Sequence, residues 1–223
     1  MATTTADLAP TGAAPSSPTQ LRDTPALSAA GATAERRPHL MVVGTFFAIA
    51  AGTMLIGGLL AGWLAARDTA LSAGSPWLRE GVDIPNMAVA VTYLTLLMSS
   101  FTAQWAVYAA KTDDRKNLYV AIGITLVLGL AFVNGLSFVY DRLGLEAGMT
   151  DIATHTYAVT VTHLLLVIAA HVLFVVMGFR AMTGQVTARR RELVASAAAF
   201  WHFTVLAGAA VYLVVFFFEG APT

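Results

Sequence analysis

Three histidines, His163, His171 and His202, sit inside long apolar stretches and are the residues best equipped for chemistry. A membrane-embedded histidine can ligate haem or a metal, carry a proton, or hydrogen-bond a neighbouring helix. A bis-histidine haem needs one ligand from each of two helices at matching depth. Two stacked haems need four such ligands and are excluded by three histidines. One haem between His202 and either His163 or His171 stays open at this point. His163 and His171 are eight residues apart, which on a helix is about 80° around and ~12 Å along the axis. They can face one side of a bundle but cannot jointly grip one ion. Other polar residues also lie within long apolar stretches, notably Gln104, Asn134 and Ser137. The bland alternative is that each histidine is neutral and bonds a carbonyl or hydroxyl across a helix interface, at about 1 kcal/mol per bond.

The surrounding chain narrows the chemistry further. Of 223 residues, 57% are hydrophobic and 12% charged, and the mean hydropathy is +0.69. A soluble domain carries about a quarter charged residues, so this is an integral membrane protein. The formal net charge is zero, which gives no reason to expect nucleic-acid binding. Cysteine is absent, which removes disulfides, thiolate metal sites and cysteine nucleophiles. Residues 1–38 are rich in Ala, Thr, Ser and Pro, with almost no large apolar side chain, and read as a disordered tail. They contain no apolar core of a secretory signal.

Residues 39–219 form the membrane domain. Five apolar stretches, Leu40–Ala66, Met87–Ala110, Leu118–Tyr140, His155–Phe179 and Leu193–Phe218, are each long enough to cross a bilayer as a helix. The expected fold is therefore an all-α bundle of five transmembrane helices. The stretches are apolar on all sides, which speaks against the alternating pattern of membrane strands. None has an interior Asp, Glu, Lys or Arg, so a proton route through this chain alone lacks its carboxylate. The turn "KTDDRKN" is short and makes the second and third helices antiparallel neighbours. Ten basic residues fall on one side of the predicted topology and three on the other, which places the N-terminus in the cytoplasm. An odd number of spans then puts the C-terminus outside. Gly58, Gly62 and Ala66, with Gly57, Ala61 and Ala65, make small-residue rows expected to mark helix contacts.

Several segments together carry a resemblance. They are "GTFFAIAAGTMLIGGLLAGWLAAR" (Gly44–Arg67), "SSFTAQWAVYAAKTDD" (Ser99–Asp114), "THLLLV" (Thr162–Val167) and "FWHF" (Phe200–Phe203). The chain from about His39 to Phe218 resembles subunit III of haem–copper cytochrome c oxidases, in the short five-helix bacterial form. Ser-Ser-Phe-Thr and the Trp-His-Phe run are its most specific pieces. It is a divergent member by this reading. Where the family has a first-helix glutamate the chain has Gly52, and where it has a third-helix glutamate the chain has Ser137. The second family histidine reads as Leu166, and the aspartate after the last His-Phe reads as Val205.

The resemblance implies a non-catalytic, stabilising subunit of an aerobic terminal oxidase. That complex reduces O2 with electrons from cytochrome c or quinol and pumps protons. The implied chain has no catalytic, cofactor-binding or metal-binding residue of its own. Haem and copper are expected in partner subunits I and II, and bound phospholipid in this one. The implied location is a bacterial plasma membrane, crossed several times. His163, His202, Gln104, Asn134, Ser137 and His171 would form an intramembrane polar cluster with a structural or lipid-holding role. Two other readings stay open: an accessory subunit of a nitric oxide reductase, and an independent single-haem b-type electron-transfer protein.

Overall fold

The computed structural model describes residues 40–77, 82, 84–146, 148 and 150–217. The tail expected over 1–38, the Arg79–Glu80 segment and the C-terminal end from Phe218 lie outside the described residues. Within them the chain is helical throughout its spans: α1 (Leu40–Ser72), α2 (Asn86–Lys111), α3 (Arg115–Arg142), α4 (Asp151–Met182) and α5 (Glu192–Val211). A π-helical turn over Tyr212–Phe217 continues α5. All five are long and apolar enough to cross a membrane, so the molecule is a multi-pass membrane protein.

Four helices outrun the apolar stretches expected from sequence, because caps rather than hydropathy set their ends. α1 has 33 residues, about 50 Å at the helical rise, against a hydrocarbon core of about 30 Å. Its last turns pass through "RDTALS", which looked like connection. The helix stops at Gly74, whose φ of 72° lets the Ser75 N–H reach back to the Ala70 carbonyl at 3.0 Å. The same device closes α2 at Asp113 (φ 54°; Asp114 N–H to Ala109 O, 3.0 Å) and α4 at Gly184 (φ 74°; Gln185 N–H to Arg180 O, 3.0 Å). At the other ends, the Thr150 hydroxyl accepts the Ala153 N–H at 3.1 Å and starts α4 at Asp151 rather than at His155. The Asp114 carboxylate accepts the Asn117 N–H at 3.1 Å and starts α3 at Arg115.

Packing places α5 at the centre. It lies against α1, α2 and α4, and half of its most apolar window is buried. α2 and α3, joined by the Thr112–Asp114 turn, make the most extensive pairing, as the short connection requires. α1 packs on α4 and α5 and is the least buried span, with Gly52, Ile56 and Trp63 its only buried residues. The core is aromatic: Trp63, Trp201, Phe132, Phe174 and Phe216 are all under 2% exposed. Trp63 meets Trp77 edge-on at 5.5 Å, which folds the chain after α1 back onto the bundle.

Of the small-residue rows of α1, Ala66 is half-buried against the core, while the rest face away from the described residues. Gly57, Gly58, Ala61, Gly62 and Ala65 are exposed, and a Cβ built on Gly57, Gly58 or Gly62 meets nothing within 4 Å. The helix uses a different face, through Gly52, Ile56 and Trp63, against its neighbours. Close approach through glycine occurs instead at Gly129, Gly135 and Gly208. There a Cβ would fall 2.7 Å from His171 Nδ1, 2.6 Å from Thr92 Oγ1 and 2.9 Å from His163 Nε2.

Candidate functional site

His163 stands in mid-α4 with 0% exposure. Its Nε2–H donates to the Thr204 carbonyl of α5 at 2.9 Å, which fixes the neutral tautomer with hydrogen on Nε2. The approach depends on Gly208, one helical turn beyond Thr204, since a side chain there would collide with the ring. The ring is also held on its faces and edges. Tyr93 stacks at 6.1 Å with an interplanar angle of 18°, and Phe132 packs edge-on at 5.7 Å. Among the described residues, Nδ1 and the Tyr93 hydroxyl are both buried without a hydrogen-bond partner. A haem iron bound to this ring through Nε2 would have to break the bond to Thr204, and a macrocycle would have to displace Tyr93 or Phe132.

His202 forms a second, separate group. It sits one residue after Trp201 on α5 and faces α2. Its Nδ1 is 2.6 Å from the Ser100 hydroxyl, and its Nε2 is 3.2 Å from Gln104 Oε1. One neutral tautomer satisfies both: Nε2–H donates to the amide oxygen and Nδ1 accepts from the serine. Ser100 and Gln104 are four residues apart, so both project from one side of α2. The neighbouring residues repeat the link deeper in the bundle, where the Trp201 indole N–H donates to the Ser99 hydroxyl at 2.8 Å. The pair Ser99–Ser100 thus serves the pair Trp201–His202, one hydroxyl each.

The six polar residues expected to cluster are divided by the structure. His202 and Gln104 are brought together. His163 is on the α4–α5 interface with Thr204 instead. His171 lies on the same helix, its Nδ1 facing Gly129 and its ring 5.8 Å from that of Trp201, and Nδ1 has no hydrogen-bond partner among the described residues. Asn134 and Ser137 are exposed on α3, and the Ser137 hydroxyl donates to its own helix at Val133 O, 3.0 Å. Ser137 therefore stays out of any interhelical network among the described residues, for the geometric reason that it points away from the bundle.

Other pins were not singled out from sequence. Trp63 Nε1 donates to Thr156 Oγ1 (3.1 Å), joining α1 to α4. Tyr140 donates to Thr160 (2.9 Å), joining α3 to α4, and Thr102 and Thr125 hydroxyls meet at 2.7 Å between α2 and α3. The hydroxyls of Thr160, Thr125 and Thr102 also bond their own helices, at the Thr156, Ala121 and Ser99 carbonyls. Nothing in a single sequence distinguishes such threonines from the exposed ones, because the helical spacing of both is the same.

Two glycines decide shape beside these groups. Gly52 of α1 faces the ring of Phe203: a Cβ would lie 2.6 Å from its Cζ. The position where the resemblance expects a glutamate is thus filled by the phenylalanine ring of the neighbouring helix. Between α1 and α5 runs an apolar groove of about 560 Å³, lined by Ile49, Thr53, Leu60 and Leu206 with His202 on its wall. Among the described residues no group of three or more His, Asp or Glu could hold a metal ion.

The arrangement defines a class first: a multi-pass α-helical membrane protein in which several intramembrane polar groups, His163, His202, Trp63, Trp201 and Tyr140 among them, join one helix to another. The sequence model described as cytochrome c oxidase subunit III matches residues 32–220. This chain belongs to the cytochrome c oxidase subunit III family. It is 29% identical over 189 residues to "Cytochrome c oxidase subunit 3" of Corynebacterium diphtheriae, covering 82% of this chain and 90% of that one. It is 28% identical over 185 residues to "Probable cytochrome c oxidase subunit 3" of Nocardia farcinica, covering 81% and 89%. The protein of the same description from Mycobacterium leprae is 29% identical over 184 residues, covering 81% and 89%. As a family member the chain is a subunit of a haem–copper oxidase and works in a complex with other oxidase subunits.

Proposed function

We propose that this chain is the non-catalytic, stabilising subunit of an aerobic terminal oxidase, seated beside subunits I and II in a bacterial plasma membrane with its N-terminus in the cytoplasm. The complex carries haem and copper in the partner subunits, reduces O2 and pumps protons, and this chain keeps the assembly intact. The observation that carries the reading is the use of the histidines. Nε2 of His163 is committed to Thr204, and both ring nitrogens of His202 are committed to Ser100 and Gln104. Groups engaged in this way brace helices. The exposed small-residue face of α1 supports a partner outside the chain, where close backbone approach gives attraction that lipid does not oppose. The apolar α1–α5 groove beside His202 supports retention of phospholipid acyl chains. On this reading Met1–Pro38 is a tail separate from the membrane domain at 39–219.

The test is His202→Ala in the expressed complex, with assembly read by co-purification and haem content by visible spectroscopy. The expected result is less assembled oxidase with an unchanged spectrum per complex. A Soret band in the purified chain by itself, or co-purification with nitric oxide reductase subunits in place of oxidase subunits, overturns the reading.

A further inference from the structure

We infer that the groove between α3 and α4 is a binding site for an anionic phospholipid, whose acyl chains lie in the groove and whose phosphate meets Arg115 and Lys116. This deepens, and rests on, the reading of the chain as a lipid-retaining membrane subunit, but it concerns a different face from the α1–α5 groove. The groove has a volume of about 620 Å³ and an apolar lining that includes Ile122, Gly123 and Leu126 of α3 and Gly178 and Phe179 of α4. It exists because the two helices meet loosely, with glycine on both sides. A Cβ on Gly123 would meet nothing within 4 Å, and one on Gly178 would touch only Ile122, at 3.5 Å. Open volume walled by aliphatic and aromatic side chains suits hydrocarbon and offers nothing to a polar solute.

Its mouth carries the charge. The lining residues Tyr119, Ile122, Gly123 and Leu126 form one stripe of α3. Arg115 precedes Tyr119 by four residues and Lys116 precedes it by three, which continues that stripe by one turn beyond the groove. Both cations are exposed. The Arg115 guanidinium lies over the turn that ends α4, its Nη atoms 3.8 Å from where a Gly184 Cβ would be. Tyr119 marks the level of the headgroups: its ring lines the groove and its hydroxyl donates to the Ala181 carbonyl across the gap at 3.1 Å. The adjacent carboxylates have hydrogen-bond partners of their own, although the charge of Asp114 also acts on Lys116, which leaves Arg115 the less offset of the two cations. Asp113 accepts the Ala188 N–H at 2.6 Å, and Asp114 holds Asn117 through both of its oxygens. Two cations over an apolar slot at the interface complement a lipid with a net negative headgroup better than a zwitterionic one.

The experiment uses the purified oxidase complex containing the full chain. It is reconstituted with equal phosphatidylglycerol and phosphatidylcholine of identical acyl chains, and retained lipid is counted by native mass spectrometry. The wild-type complex should retain phosphatidylglycerol over phosphatidylcholine, by roughly fivefold for each cation engaged. Arg115→Gln with Lys116→Gln should abolish that preference and leave phosphatidylcholine retention unchanged. Gly123→Leu, which fills the groove without a clash, should lower retention of both lipids. On the wild type itself the preference should shrink as salt is raised, so the idea stays testable if a variant misfolds. Equal retention of the two lipids, a preference indifferent to salt, or one that survives the double substitution or the filled groove overturns the site. Co-purifying subunits are identified in the same samples. Absence of haem–copper subunits would sink the proposed function alone, since lipid retention can still be counted on the full chain.

Discussion

Gly52 and Phe203 show how one residue pair can replace another chemistry. The resemblance expects a carboxylate at position 52, and the structure puts an aromatic ring in the space that any side chain there would enter. Gly52→Glu should therefore destabilise the chain, by overpacking of about 1–3 kcal/mol before the cost of an unpaired carboxyl is added. Phe203→Ala with Gly52→Glu should recover part of the packing loss. Thermal unfolding of the four species in a double-mutant cycle measures that coupling; strictly additive losses would mean that the ring and the glycine do not oppose each other. The Ser99–Trp201 link makes a second case. Trp201→Phe keeps most of the buried ring and removes one interhelical hydrogen bond, so the expected loss is about 1 kcal/mol. His163→Ala removes a fully buried ring from between Tyr93 and Phe132, and a cost of roughly 3 kcal/mol or more is expected, in line with other large buried truncations. A smaller loss for His163→Ala than for Trp201→Phe in the same unfolding assay would contradict this ranking. The histidines were legible in the sequence as residues to watch, but their division was not. Which of Ser99, Ser100, Gln104, Asn134 and Ser137 meets a given histidine depends on helix rotation, and apolar-all-round helices carry no amphipathic signal to fix that rotation.

The helices themselves were legible, because about twenty predominantly apolar residues without a charge have few other fates in a membrane. Their ends were not, because those follow local capping that hydropathy does not see. Asp114 is the clearest of these caps. The Asn117 backbone N–H, and then the Asn117 side chain, hold its carboxyl below the ordinary carboxylate range. A group whose pKa is lowered on folding stabilises the folded state fully above its unfolded pKa, and this contribution is lost as pH falls through the lowered value. Asp114→Ala should thus lower the melting temperature at pH 7, and the difference from the wild type should close as the solution is made acidic. A gap that persists unchanged into strong acid would show that the charge is not what caps α3. Asp113, one residue earlier, does a different job. It takes a left-handed φ of 54° and ties the α2–α3 turn to the α4–α5 loop through Ala188. Asparagine tolerates that backbone and can still accept the bond, while alanine does neither as well. Asp113→Asn should then retain stability that Asp113→Ala loses, and equal melting temperatures for the two would refute the double role.

At the scale of the whole molecule, the small-residue face of α1 sets the chain apart from a self-sufficient bundle. A single sequence could flag Gly58 and Gly62 as an approach face, and it could not say whose helix approaches. The structure answers the internal half of that question, since both positions are exposed and open to at least 4 Å. Helices in lipid gain little from burying one apolar surface against another, so a glycine row repays its low helix propensity through van der Waals contact with a partner. With no such contact among the described residues, another subunit of the oxidase is the expected source of that return. Gly58→Leu and Gly62→Leu therefore have opposite expected effects on two measurements. The isolated chain should melt no lower than the wild type, because the new side chains enter open space. The assembled complex should lose this subunit at lower detergent concentration, because the larger residues hold the partner helix away. A substituted chain that melts earlier by itself would mean that the face is used internally after all, and a complex of undiminished stability would assign the face to lipid.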